Sequence, residues 1–250
     1  MNRQTEWWQS FFSGLWLDAQ RQAKTEEQTR AEADAIEKLL QLAPGAKVLD
    51  VPCGQGRLSI ELASRGYHVT GVDITRPLLD DAQRKAIERQ LEMAWEERDM
   101  RDLPWHEEFD GAFCVWGSFG YFDGDGNAAF IKAVSRALKP GARFLVDLPV
   151  AETVFPNFRD RAWGPFGDTL ILQAARYDHV HGRVDVDWTL VQEGKMAKSF
   201  SSIRIYTYGE LCRLLEEAGF TNCEGYASMS QEPFKLGSPW LYLVATKDLK

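Results

Sequence analysis

The stretch VLDVPCGQGRL, residues 48–58, decides how the rest of the chain is read. An apolar run breaks at Pro52 into Cys53-Gly54-Gln55-Gly56, and GRLSIELASRG then continues at helical spacing up to Gly66. A strand entering a glycine turn and then a helix is the usual seat of a nucleotide-like ligand. Glycines there let the backbone approach with no Cβ in the way. Pro52 donates no N–H and favours an extended Val51, so close approach falls to Gly54 and Gly56.

Working outward, the same alternation repeats. AKVLDV, YHVTGVDI, MAWEERDM, FDGAFCVWGSF and ARFLVDLP read as strands. TRPLLDDAQRKAIERQ, capped at Thr75 with Pro77 in its first turn, and NAAFIKAVSRAL, closed by KPG, read as helices between them. Strands alternating with helices specify parallel βαβ units with right-handed crossovers. The period then changes to two in LILQAARYD, RVDVDWTLV and KSFSSIRIY, a small antiparallel sheet. TYGELCRLLEEAGF restores a helix, with Thr207 and Glu210 as a capping box, and NCEGYASM and WLYLVATK close as an antiparallel pair. The expected fold is α/β: a doubly wound, mostly parallel seven-stranded sheet with a C-terminal antiparallel hairpin and a small inserted antiparallel sheet over the active site. The divisions are a helical lid at 1–24, a cofactor-binding core at 25–150, an inserted substrate cap at 151–206 and the C-terminal part of the core at 207–250.

Ahead of the core, residues 6–20 carry Trp7, Trp8, Phe11, Phe12, Leu15, Trp16 and Leu17 at helical spacing, read as one helix. It either packs on the core or closes a pocket. A second helix starts at Thr25, where TEEQ forms a capping box.

Composition narrows the partners. The 250 residues are 44% hydrophobic with net charge −8, enough to bury a full core and the wrong sign for a nucleic-acid binder. No apolar run approaches the ~20 residues of a membrane span, and MNRQTEWWQSFF lacks a signal-peptide core. The four cysteines show no metal-ligand spacing and read as reduced thiols. His179 and His181 flank a turn at Asp178, and no metal set is assigned. The expectations are a cytoplasmic protein, monomer or homodimer, with a small-molecule acceptor and neither nucleic acid nor membrane as partner.

Three features meet at the C-terminal edge of the parallel sheet, where such folds bind ligands. They are Gly54 and Gly56 after strand one, Asp73 ending strand two, and Asp99-Met100 ending strand three. A carboxylate ending strand two suits both hydroxyls of an adenosine ribose. A dinucleotide site wants G-x-G-x-x-G, but the third glycine is Ser59 here, and no GK[ST] P-loop occurs.

VLDVPCGQG, GVDIT, ERDMRDLP, FDGAFCVWGSFGYF, ALKPGARFLVD and the closing hairpin resemble the class I S-adenosylmethionine-dependent methyltransferases. The resemblance runs from about residue 25 to the end. The inserted sheet makes the chain similar to the small-molecule branch, including bacterial sugar N-methyltransferases and glycine-type N-methyltransferases. Pro52 replaces the first glycine of the family's D-x-G-x-G-x-G pattern, a form some bacterial members share. The resemblance implies S-adenosyl-L-methionine as cofactor. Asp50 and the backbone of Cys53–Gly56 would contact its methionine portion, and Asp73 the ribose. Ile74 would pack on the adenine, Asp99 would accept from its amino group, and the Met100 backbone would read the ring edge. Trp116 to Ser118 would line the floor. By position rather than by resemblance, Trp16, with Trp8, would close the pocket. Cys53 is read as a packing residue, not a nucleophile.

The implied activity is methyl transfer to N or O of a small metabolite. WGSFGY stands where amino-purine and glutamine-amide enzymes carry an NPPY-like motif. On the acceptor side, Tyr121, Arg204 and Tyr206 are the candidate catalytic residues by position. A peptide or protein methyltransferase, and a non-catalytic S-adenosylmethionine sensor or partner subunit, are the competing readings.

Overall fold

The computed structural model describes residues 6–21 and 24–249; residues 1–5 and 22–23 of the expected lid lie outside the described residues. In chain order the elements begin with α1 (Trp8–Phe11), α2 (Leu15–Arg21) and α3 (Glu26–Leu40). The core follows as β1 (Lys47–Asp50), α4 (Arg57–Ser64), β2 (His68–Asp73), α5 (Arg76–Glu88), β3 (Ala94–Glu97), β4 (Phe109–Cys114), α6 (Gly124–Ala137) and β5 (Leu138–Leu148). A short α7 (Ala151–Val154) leads into β6 (Arg161–Phe166), β7 (Thr169–Asp178), β8 (Arg183–Gln192) and β9 (Lys195–Arg204). The chain closes with α8 (Tyr208–Glu217), β10 (Phe220–Tyr226) and β11 (Leu241–Lys247).

Seven strands form one sheet in the order β10-β11-β5-β4-β1-β2-β3, parallel except for β11, which runs antiparallel to both β5 and β10. The chain winds outward from β1 to β3, then returns to β4 beside β1, which makes the β1/β4 boundary the switch point where a crevice opens. Successive residues of the central strands are buried on opposite faces: Leu49 and Val72 in one cluster, Val48 and Val69 in the other. Helices on both faces account for that continuous burial. Capping boxes at Thr25/Gln28 and Thr207/Glu210 start α3 and α8 as their spacing predicts. Thr75 holds the N-cap position of α5 but accepts no capping bond through its side chain.

Two departures bear on the site. The expected single helix over 6–20 is two, parted around Gly14 at φ 53°. The inserted sheet has four strands, not three, in the order β6-β7-β8-β9. α1 and α2 dock on that sheet: the Trp7 indole N–H donates to the Ser202 carbonyl at 3.1 Å, and that of Trp16 to the Ser199 hydroxyl at 2.8 Å. Trp16 also lies edge-on to Trp188 of β8, with ring centroids 5.4 Å apart. No helix among the described residues is long and apolar enough to cross a membrane.

Candidate active site

A cavity of about 160 Å³ opens beyond the C-terminal ends of β1, β2 and β4, many times the ~10–15 Å³ that one water needs. Its floor is the loop after β1. The Val51–Pro52 peptide is cis, and Gly54 follows at φ 55° with open space where a Cβ would stand. Gly56, at φ 71°, serves packing instead: a Cβ there would meet Trp95 at 2.5 Å and Ala82 at 2.8 Å. Gly54 lines the cavity, while the expected close approach at Gly56 is made by Trp95 from the other side.

Asp73 ends β2 as a buried carboxylate facing this loop. The Gly54 N–H donates to its Oδ2 and the Thr75 N–H to its Oδ1, each at 2.8 Å. Burial raises its pKa, and those two donors hold the rise in check. Each oxygen has a second lone pair, so Asp73 is fixed in direction and still able to accept. Asp50, at the end of β1, is also buried and accepts from the Ser59 hydroxyl. Burial pushes Asp50 up to about 8, with the charge of Asp73 adding to the rise. Cys53 lines the wall, its thiol pushed up by burial and by Asp50 and Asp73, an environment that suppresses the thiolate.

At the far end of the cavity, Ile74, Asp99 and Met100 form one wall, and Ile74 remains 37% exposed for so apolar a side chain. Asp99 is already engaged. Arg101 donates to it from its backbone N–H at 2.8 Å and from Nε and Nη2 at 3.0 and 2.6 Å. Burial raises Asp99, but Arg101 outweighs it and holds the carboxyl below its usual range. Few of its acceptor sites are left for a ligand.

Trp116 follows β4 in a left-handed turn at φ 73° and is 40% exposed at the cavity mouth. The buried Asp147 carboxylate anchors that turn, accepting from the Gly117 N–H at 2.7 Å. Burial pushes Asp147 up to about 6 in spite of its donors, which include Trp116 and Trp240. The Trp116 ring faces Arg57 and Lys24 at 5.0 and 5.3 Å. Both cations pair with Glu32, whose carboxyl they hold low against the opposing effect of burial.

The acceptor-side candidates separate. Tyr121 lines the cavity, its ring packed edge-on to Trp7 at 4.7 Å. Burial raises its phenol well above the ordinary tyrosine value, so it remains a proton donor near neutrality. Arg204 and Tyr206 stand off the cavity. Arg204 donates to the carbonyls of Gly182 and Ile205 and lies over the Tyr206 ring at 4.8 Å. Tyr206 falls beyond the end of β9, and its hydroxyl accepts from Asn127 at 3.0 Å inside the core. Both side chains serve structural contacts: Arg204 is the last residue of β9, and Tyr206 lies just past its end. Trp16 is likewise absent from the cavity wall; Trp8, Phe12 and Gln20 supply the N-terminal contribution. Arg57 was not singled out from the sequence. Its place as the first helical residue after the glycine loop is the signal that points to it. Among the described residues, no cluster of three or more His, Cys, Asp or Glu side chains is arranged to hold a metal.

Residues 48–141 match a family described as a methyltransferase domain. A ubiquinone biosynthesis O-methyltransferase of Xylella fastidiosa (strain M23) is 33% identical over 139 residues, 55% of either chain. A cypemycin N-terminal methyltransferase of a Streptomyces species is 35% identical over 104 residues, 41% of this chain and 42% of that one. The chain thus spans about half the length of the curated relatives it matches. The crystal structure of an S-adenosylmethionine-dependent methyltransferase from Clostridium acetobutylicum superposes with a TM-score of 0.79 at 17% identity, covering 94% of this chain and 96% of that one. Residues 48–141, which hold the β1/β4 crevice, the carboxylate ending β2 and the glycine loop between them, are thus a methyltransferase domain, carried on a chain with the fold of S-adenosylmethionine-dependent methyltransferases.

Proposed function

We propose that the protein transfers a methyl group from S-adenosyl-L-methionine to a nitrogen or oxygen atom of a small metabolite. The observation that carries this reading is the Asp73 carboxylate, aimed beside Gly54 by two backbone donors and retaining free lone pairs. The residues fit the cofactor: a fixed carboxylate for a ribose, open space over Gly54, and an exposed Ile74 for a flat ring. When bound, the cofactor supplies a sulfonium-activated methyl group.

The chain's own contribution is positioning and exclusion of water. Asp73 fixes the ribose end. Asp50 and the Cys53–Gly54 backbone face the methionine portion, and Arg57 and Trp116 stand at the mouth. Trp8 and Phe12 bring apolar rings to the wall and keep solvent from the reacting end. Tyr121 orients an acceptor as a hydrogen-bond donor and takes no proton, because burial keeps its phenol protonated. An acceptor that arrives unprotonated at its nucleophilic atom needs no base.

Calorimetry tests the cofactor reading: S-adenosylmethionine and S-adenosylhomocysteine should bind and NAD should not, and tight binding of NAD alone would sink it. Methyl transfer from labelled cofactor into a metabolite extract tests the activity. Label appearing only in peptides would replace the acceptor class, and binding without transfer to either would leave a sensor.

A further inference from the structure

Away from the cavity, α8 and β10 bring two thiols together. Cys212 lies on α8 and Cys223 on β10, both free and partly exposed. Tyr208 fixes the approach of helix to strand. It lies one helical turn before Cys212, on the same face. Its hydroxyl donates to the Cys223 carbonyl at 3.3 Å, and a Cβ on Gly225 would stand 2.5 Å from its ring. The pairing of β10 with β11 shifts between Thr221 and Glu224, with Asn222 at φ 51°, so Cys223 sits in a bulge that re-aims its side chain. The two thiols lie within interaction range of each other, and Cys212 within that of the Tyr208 side chain. That contact with Cys223 lowers the Cys212 thiol, while the same contact and burial raise Cys223.

We propose that Cys212 and Cys223 form a redox-active dithiol that closes to a disulfide joining α8 to β10 when the protein meets hydrogen peroxide. The Cys212 thiolate attacks one peroxide oxygen and the O–O bond breaks. The departing hydroxide takes a proton to become water, leaving a sulfenic acid on Cys212. The Cys223 sulfur then attacks the Cys212 sulfur, the S–OH bond breaks, and a second water leaves with the Cys223 proton. Two thiols lose two electrons and two protons, and one peroxide becomes two waters. A dithiol reductant reverses the change. Cys53 and Cys114 stand outside this chemistry: burial, together with nearby carboxylates, holds both thiols protonated.

Trypsin separates the pair, since cleavage after Arg204, Arg213 and Lys235 places Cys212 in residues 205–213 and Cys223 in 214–235. The reduced full chain is treated with peroxide, denatured, alkylated and digested. The expected product is these two peptides linked, two hydrogens lighter than their sum, and parted by dithiothreitol. C212S and C223S should each lack the link, and C223S should hold Cys212 as a sulfenic acid that dimedone captures. Four alkylatable thiols after treatment, a sulfinic acid in place of the link, or a link to Cys53 or Cys114 would each overturn the proposal. The wild-type result stands without the variants, so a folding defect in either leaves the test intact.

Discussion

Asp73 ends β2 and Asp99 stands two residues past the end of the neighbouring β3; they carry the same side chain, yet they differ in what they can still do. The donors on Asp73 are backbone N–H groups that leave acceptor capacity facing the cavity, whereas a guanidinium and an amide occupy Asp99. A hydrogen bond to a charged group contributes about 1.5–3 kcal/mol, so Asp73→Ala should weaken S-adenosylhomocysteine binding roughly 10- to 100-fold. Asp99→Ala should cost less, and calorimetry on the two variants side by side reads the difference. An equal loss would return the adenine role to Asp99. Gly56→Ala should destabilise the fold by about 1–3 kcal/mol in urea unfolding, because a side chain at positive φ would also collide with Trp95 and Ala82. An unchanged midpoint would contradict that packing.

The βαβ order, the cap positions and the edge where the cavity opens were all legible in hydrophobic period and punctuation. The fourth inserted strand was not. β6 reads RAWGPF, and its Gly164 and Pro165 look like a breaker. An edge strand with only β7 beside it tolerates a proline that a central strand would not. The break between α1 and α2 was hidden for a similar reason, since apolar spacing continues across Gly14 while the backbone does not. Tertiary direction was the hardest to read. Trp8 and Trp16 share a stripe in sequence, but only Trp8 faces the cavity, and Trp16 turns to Ser199 and Trp188 of the inserted sheet. Their variants should part accordingly. Trp8→Ala should weaken ligand binding, whereas Trp16→Ala should lower hydrogen-exchange protection across residues 6–21 with a smaller direct effect on the wall. Identical effects would make the segment a single packing unit.

For the molecule as a whole, buried carboxylates set a pH dependence. Asp50 and Asp147 have folded pKa values near 8 and 6, above the unfolded 3.8. Their contribution to stability is therefore complete below about pH 4 and lost as pH rises through those values. Asp81, Asp99, Asp110 and Glu32 are held low, so their contribution is present above their unfolded values and lost as pH falls through their folded ones. The ligand-free protein should melt highest near pH 5. Its melting temperature should fall towards pH 8, and Asp50→Asn should flatten the upper part of that fall. A wild-type curve that rises over this range would show that the crevice does not disfavour the Asp50 charge.

The indole bonds from α1 and α2 to the inserted sheet have a consequence in time. Trp7 meets Ser202 across 195 residues, and Trp16 meets Ser199 across 183. At ~5–20 residues per second of synthesis, the N-terminal segment waits roughly 10–40 s before β9 exists to receive it. Helices α1 and α2 thus leave the ribosome well before the sheet that seats them. The cavity acquires the aromatic wall of Trp8 and Phe12 only after β9 has been made.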